Sequence, residues 1–319
     1  MAASDSAEER AAWQTAIVEA MEAGVLAYKK GAHEGFLPRP GTEAERLTAT
    51  AIADPGWPGA HWTRDAAAPL HQVCLIIANA AVGHLRDLEL LVRDDLDRQS
   101  IPLVARGVVE NCARLFQILV GPFLGGDVGV NQVRQCFAIA YRDVIESAMR
   151  ECELQERAFK RGATTEQNVE SARSELGRVK QAFGQLFSSD STDVRTLKKL
   201  KVDGVESETM TSVIERLSSW MWPDDGRQPP PVYNAMSRHA HASLSAESEL
   251  YAITDTPDRR KLVRVVPTHH LKLQVELACI IFYQMFARLV GFYGWDDAPL
   301  TAYGERLSSA SASFQLGKE

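Results

Sequence analysis

The sequence predicts an all-α fold, a multi-helix bundle with one short β-hairpin inserted before the last helix. Three observations carry that prediction. Apolar residues recur at three- and four-residue spacing over long stretches, glycine and proline punctuate those stretches, and β-like composition is confined to residues 249–267. The chain of 319 residues, 45% hydrophobic and 24% charged, holds ample material for a buried core.

The elements follow in order. Residues 8–30 read as a helix with Trp13, Ile17, Ala20 and Val25 along one stripe, ended by Gly31, Gly35, Pro38, Pro40 and Gly41. A short helix over 42–53 has Thr42 as its cap and Glu45 three residues on, the capping-box spacing. Breakers make 54–63 a loop, its Trp57 and Trp62 expected to pin it to the body. Leu70 to Asp94 places Val73, Ile76, Ile77, Ala80, Ala81, Leu85, Leu88 and Val92 on one broad apolar face.

After a break at Gln99-Ser100, Pro102 falls in the first turn of a helix that runs to Val120 and stops at Gly121-Pro122. A glycine-rich turn (123–130) leads into a helix over 131–160, and 164–187 reads as a polar, solvated or antiparallel coiled segment. Further helices are predicted over 206–221, 232–244 and 269–292, and 250–254 and 261–266 flank a turn as a hairpin. The serine-rich tail after Leu300 is expected to fray. This divides the chain into an N-terminal helical arm and loop (1–60) and a main bundle domain (61–319).

A net charge of −7 and a pI of about 5.7 argue against bulk electrostatic binding of nucleic acid. The five cysteines have no CxxC pair and suit a reducing compartment. The acidic, alanine-rich first ten residues lack the pattern of a secretory signal, and Gln284 and Arg288 interrupt the longest apolar run. Together these give a cytoplasmic expectation with no membrane association.

Two polar stripes stand out within apolar helices. Arg106, Glu110 and Arg114 fall at i, i+4 and i+8, with Glu110 one turn from each arginine. Tyr233, Ser237 and His241 repeat that spacing in a later helix. Packed together, the stripes would form a mutually satisfied buried polar layer; the functional alternative is an anion pocket held by the arginines.

With His84-Leu-Arg-Asp-Leu, these two motifs resemble an uncharacterised all-helical family common in actinomycetes, over roughly residues 66–245. The chain also distantly resembles the HEPN helical bundles, many of which are ribonucleases with an Arg-x4–6-His motif. Literal matches occur at Arg64/His71 and at Arg264 with His269 or His270, but each spans a proline (Pro69, Pro267), which is awkward inside a helix.

No catalytic or metal constellation emerges. His239 and His241 point about 200° apart on a helix, no Glu-x-x-His or His-Glu-x-x-His occurs, and the glycines at 121–129 lack a following Lys-Ser/Thr. No cofactor is expected. The aromatic residues Phe282, Tyr283, Phe286, Phe292, Tyr293 and Trp295 suit a core or a homo-oligomer interface. The leading functional expectation is a non-catalytic binding or interaction protein. A HEPN-like ribonuclease or RNA-binding protein and a binder of small anionic ligands stand behind it.

Overall fold

Apolar spacing becomes helix almost throughout the computed structural model. It describes residues 7–53, 64–94, 100–124, 129–186, 208–222, 236, 251–256, 259–264 and 268–311. The helices are α1 (Ala7–Glu34), α2 (Glu43–Ala53), α3 (Arg64–Arg93), α4 (Ser100–Leu119), α5 (Val130–Lys160), α6 (Glu166–Leu186) and α7 (Met210–Met221). Strands β1 (Tyr251–Thr256) and β2 (Arg259–Arg264) pair antiparallel, with Tyr251 opposite Arg264, and α8 (Thr268–Tyr293) and α9 (Ala298–Ala310) complete the chain.

The residues group into two compact units: Met1–Gly35, Ile77–Arg114 and Met210–Glu319 form one, Phe36–Ile76 and Leu115–Thr209 the other. The division falls within α3 and α4. In the first unit, α1 packs against α9 and α8. Tyr303 of α9 is fully buried, its hydroxyl donating to the Cys279 carbonyl at 2.9 Å. Its ring lies where a side chain on Gly24 would sit, about 3.0 Å from the position of a Cβ there. Gly31 is likewise pressed against Trp295, whose indole donates to the Gly35 carbonyl at 2.9 Å.

That contact corrects one predicted boundary. Gly31 does not end α1; it is a packing position, and the helix continues to Glu34 before Gly35 turns out at φ +94°. A second correction concerns the tail. Two helices follow the strands, because Tyr303, Leu307 and Ala310 form a buried helical stripe while Ser308 and Ser309 face solvent. Serine-rich composition describes only the outer face of α9.

Helix α8 runs through the first unit's core. Its segment His270–Tyr293 is long and apolar enough to cross a membrane, contrary to the reading based on Gln284 and Arg288. With 72% of its most apolar window buried in the protein, it has the environment of a core helix. Phe282, Phe286, Phe292, Tyr293 and Trp295 are all buried. Phe286 meets Tyr28 of α1 edge-on, and Trp295 stacks on Tyr293 with centroids 5.5 Å apart. All five cysteines are free and buried, as small apolar side chains.

In the second unit α5 and α6 form an antiparallel pair. The turn between them closes through Gly162 (φ +70°), with the Ala163 amide donating to Ala158 O at 2.9 Å. Val169 and Val179 face inward along a largely polar α6, and Arg173 donates twice to Glu156 across the pair.

The glycine contacts give a stability prediction. Gly31→Ala places a Cβ 2.6 Å from the Trp295 ring and should cost about 1–3 kcal/mol. Gly83→Ala, at an exposed helical position with open space, should instead stabilise by about 0.5–1 kcal/mol. Urea unfolding of the two variants checks both signs.

Candidate functional site

The predicted polar stripe on α4 is only partly assembled. Arg106 Nε donates to Glu110 Oε1 at 2.6 Å, with both side chains 20–29% exposed. Arg114, one turn further, is exposed. The three charges are thus unequally covered: Arg106 and Glu110 are partly buried and paired, while Arg114 is exposed. Tyr233, Ser237 and His241 lie outside the described residues, as do His239 and the helix predicted for 232–244.

A different site arises from residues that no motif connects. Helix α2 begins with Thr42, whose Oγ1 accepts from the Glu45 amide at 3.2 Å, as its position predicted. The Glu45 carboxylate reaches back to the Gly41 amide, Oε2 accepting at 2.7 Å, one residue earlier than in an ordinary capping box. This fixes the start of α2 and holds Glu45 toward its N-terminal end. Pro38 and Pro40 bring the preceding segment past the same face.

Helix α3 starts at Arg64 and runs through Pro69, the proline that the sequence made awkward for a helical motif. Pro69 lies close enough to the helix start that few intrahelical bonds are lost. His71 is thereby carried, 4% exposed, to a position opposite Thr48, which is 5% exposed. Thr48 Oγ1 and His71 Nε2 are 3.3 Å apart.

The direction of that bond depends on the histidine tautomer, and proton accounting favours one. The Thr48 hydroxyl has one hydrogen and gives it to Ala44 O at 2.8 Å. With that proton so placed, the oxygen accepts from an Nε2-protonated His71; the other tautomer would reverse the bond. Burial lowers the His71 pKa to about 4, so the ring is neutral near pH 7.

These groups floor a cavity of about 640 Å³ lined by Leu37, Pro38, Pro40, Ala49, Ile52 and Ala67, with Ala68 and Glu45 completing the wall. The lining is mostly hydrocarbon, and its rim leaves Leu37 73% and Ile52 39% exposed. Small alanines make the space, since nothing larger than a methyl group projects from positions 49, 67 and 68. Among the described residues no group of three or more His, Cys, Asp or Glu side chains could hold a metal ion.

Sequence reading passed over this site because its two polar members are 23 residues apart and belong to no spacing rule. The available signal was a histidine embedded in an apolar helix face, Ala-Pro-Leu-His71-Gln-Val, facing a threonine on the helix before it. No family model matches the chain, and no curated protein or solved structure matches it either.

His71 gives a pH prediction. Its folded pKa, about 4, lies below the unfolded value near 6.5, so between these pH values the unfolded chain binds the extra proton. The contribution to stability is complete above pH 6.5 and is lost as pH falls toward 4, to a total of about 3 kcal/mol. Denaturant unfolding from pH 7 to 4 should show this loss in the native chain and not in His71→Asn.

Proposed function

We propose that this chain is a non-catalytic binding protein and that a small, largely apolar molecule occupies the cavity between α2 and the start of α3. The observation that carries the reading is the combination of a hydrocarbon-lined space of about 640 Å³ with a neutral, hydrogen-bonded polar floor. That size lies within the usual range for sites taking small organic ligands, and such sites are mainly apolar with a few placed polar groups.

The same floor argues against nucleophilic chemistry. Activation of a hydroxyl requires a base that accepts its proton. Here Thr48 gives its proton to a helix carbonyl and receives one from His71, the reverse arrangement. Buried as it is, the pair serves to satisfy itself and to present a fixed polar patch.

A second reading follows from the resemblance to HEPN ribonucleases and from one observation. Arg64 and His71, six residues apart in the intervening count, both belong to α3 and lie about 20° from each other around it. The burial of His71 weighs against contact with a phosphodiester. Nothing in the placement of Arg106 and exposed Arg114 favours the anion-binding alternative.

The binding reading is tested with N-phenyl-1-naphthylamine, a neutral apolar fluorophore. Saturable enhancement is expected with the native chain. In Ala49→Phe, which fills the cavity from an exposed position, affinity should fall by about tenfold or more while circular dichroism and Tm stay close to native. Equal binding by both would place the probe elsewhere.

The nuclease reading is tested on unstructured RNA. The purified chain is expected to leave the RNA intact. Cleavage that disappears in both Arg64→Ala and His71→Ala would transfer the assignment to the ribonuclease.

A further inference from the structure

Resting on the cavity reading above, we infer that the site selects its occupant by charge: it takes an apolar molecule carrying one positive charge, an alkyl- or arylammonium, over the corresponding carboxylate. The inference begins from the ionisable groups that line the space. His71 is buried and hydrogen-bonded on the floor, and Glu45 is the one carboxylate among the described lining residues. Among the described residues, no lysine or arginine belongs to the lining.

Glu45 is also held in place. Its Oε2 accepts from the Gly41 amide at 2.7 Å, so the carboxylate is fixed by the cap of α2. It draws no ion pair among the described residues. The arginines nearest in sequence, Arg39 and Arg46, are outside the lining, and Arg46 Nη1 donates to the Gly41 carbonyl at 3.0 Å. A half-buried carboxylate beside a low-dielectric wall acts on a ligand charge more strongly than one in open water.

The rest of the lining states what the remainder of the ligand must be. Leu37, Pro38, Pro40, Ala49, Ile52 and Ala67 offer hydrocarbon and no hydrogen-bonding side chain. An apolar body there with an ammonium group at Glu45 satisfies both halves of the site. A carboxylate in the same pose would face Glu45 with like charge and would meet no cation among the described lining residues.

The experiment displaces N-phenyl-1-naphthylamine with three molecules that share an eight-carbon chain: octylammonium, octan-1-ol and octanoate, at neutral pH and low salt. Octylammonium is expected to displace the probe from the native chain at a concentration about tenfold or more below that of octanoate, with octanol between them. In Glu45→Gln the amide oxygen still accepts from Gly41, so the cap is kept and only the charge is removed. The ratio should then contract to about threefold or less, each displacement being referred to the variant's own probe affinity.

Saturable probe binding with equal displacement by all three, or a ratio that persists in Glu45→Gln, overturns the charge selection and leaves the cavity reading standing. Failure of the probe to bind, or binding that Ala49→Phe does not weaken, overturns the cavity reading and this inference with it.

Discussion

Close approach of α1 to the C-terminal helices is the constraint on which the first unit depends. It is made possible by glycines that accept aromatic rings. Gly24 takes Tyr303 and Gly31 takes Trp295, seven residues apart and so on one face of α1, while Gly304 of α9 takes Tyr283 of α8. A ring lying directly on backbone gains contact over its whole face, and the penalty of burying a phenol is met by the Cys279 carbonyl. That burial also pushes the Tyr303 pKa far above the phenolic range, so the hydroxyl remains a donor at any ordinary pH. The two ends of the chain are joined by interactions that neither end could make alone.

The second unit uses small residues in the opposite sense. Where glycine in α1 admits a neighbour, the alanines at 49, 67 and 68 have none among the described residues that fills the gap before them. Close packing is the rule in protein interiors, and a void of this size forfeits dispersion contacts. Pro38 and Pro40 line that space from the adjoining segment, with backbone φ angles restricted by their rings. A cavity maintained at such cost, with apolar side chains left at its rim, is coherent as a binding site and has no evident use as packing.

How far the sequence revealed this differs from element to element. Helix α2 was legible to its cap, because Thr42 and Glu45 report on purely local geometry. Helices α3 and α4 were legible from their apolar faces. The Arg106–Glu110 pair was legible too, since i, i+4 partners meet whatever surrounds them. Solvent exposure of Arg114 was not, because periodicity assigns a face and not what covers it. Helix α9 was obscured by composition: its serines lie outside while Tyr303, Leu307 and Ala310 bury the other side. Pro69 misled for a related reason, as the objection to proline holds for a helix interior and weakens near its start. The cavity was the least legible feature, being defined by the space between residues remote in sequence.

Buried polar groups occur in both units, and His71 and Glu276 differ in how far the fold alone accounts for them. The Glu276 carboxylate, 4% exposed, accepts from Trp13 Nε1 at 3.0 Å and from Ser311 Oγ at 3.0 Å. Lys272 lies 5.8 Å from the centre of the same indole ring. Its donors come from α1 and from the end of α9, so that one carboxylate fastens both termini to α8; the arrangement is accounted for by the fold. The Thr48–His71 pair fastens much less, since α2 and α3 follow one another in the chain. Its placement does something that packing alone would not require, which is to set a neutral imidazole and a committed hydroxyl at the base of an otherwise hydrocarbon space. An apolar residue at position 71 would satisfy the helix at lower desolvation cost. On the binding reading proposed above, the polar floor and the carboxylate of Glu45 at the rim both find a use in an occupant of the space.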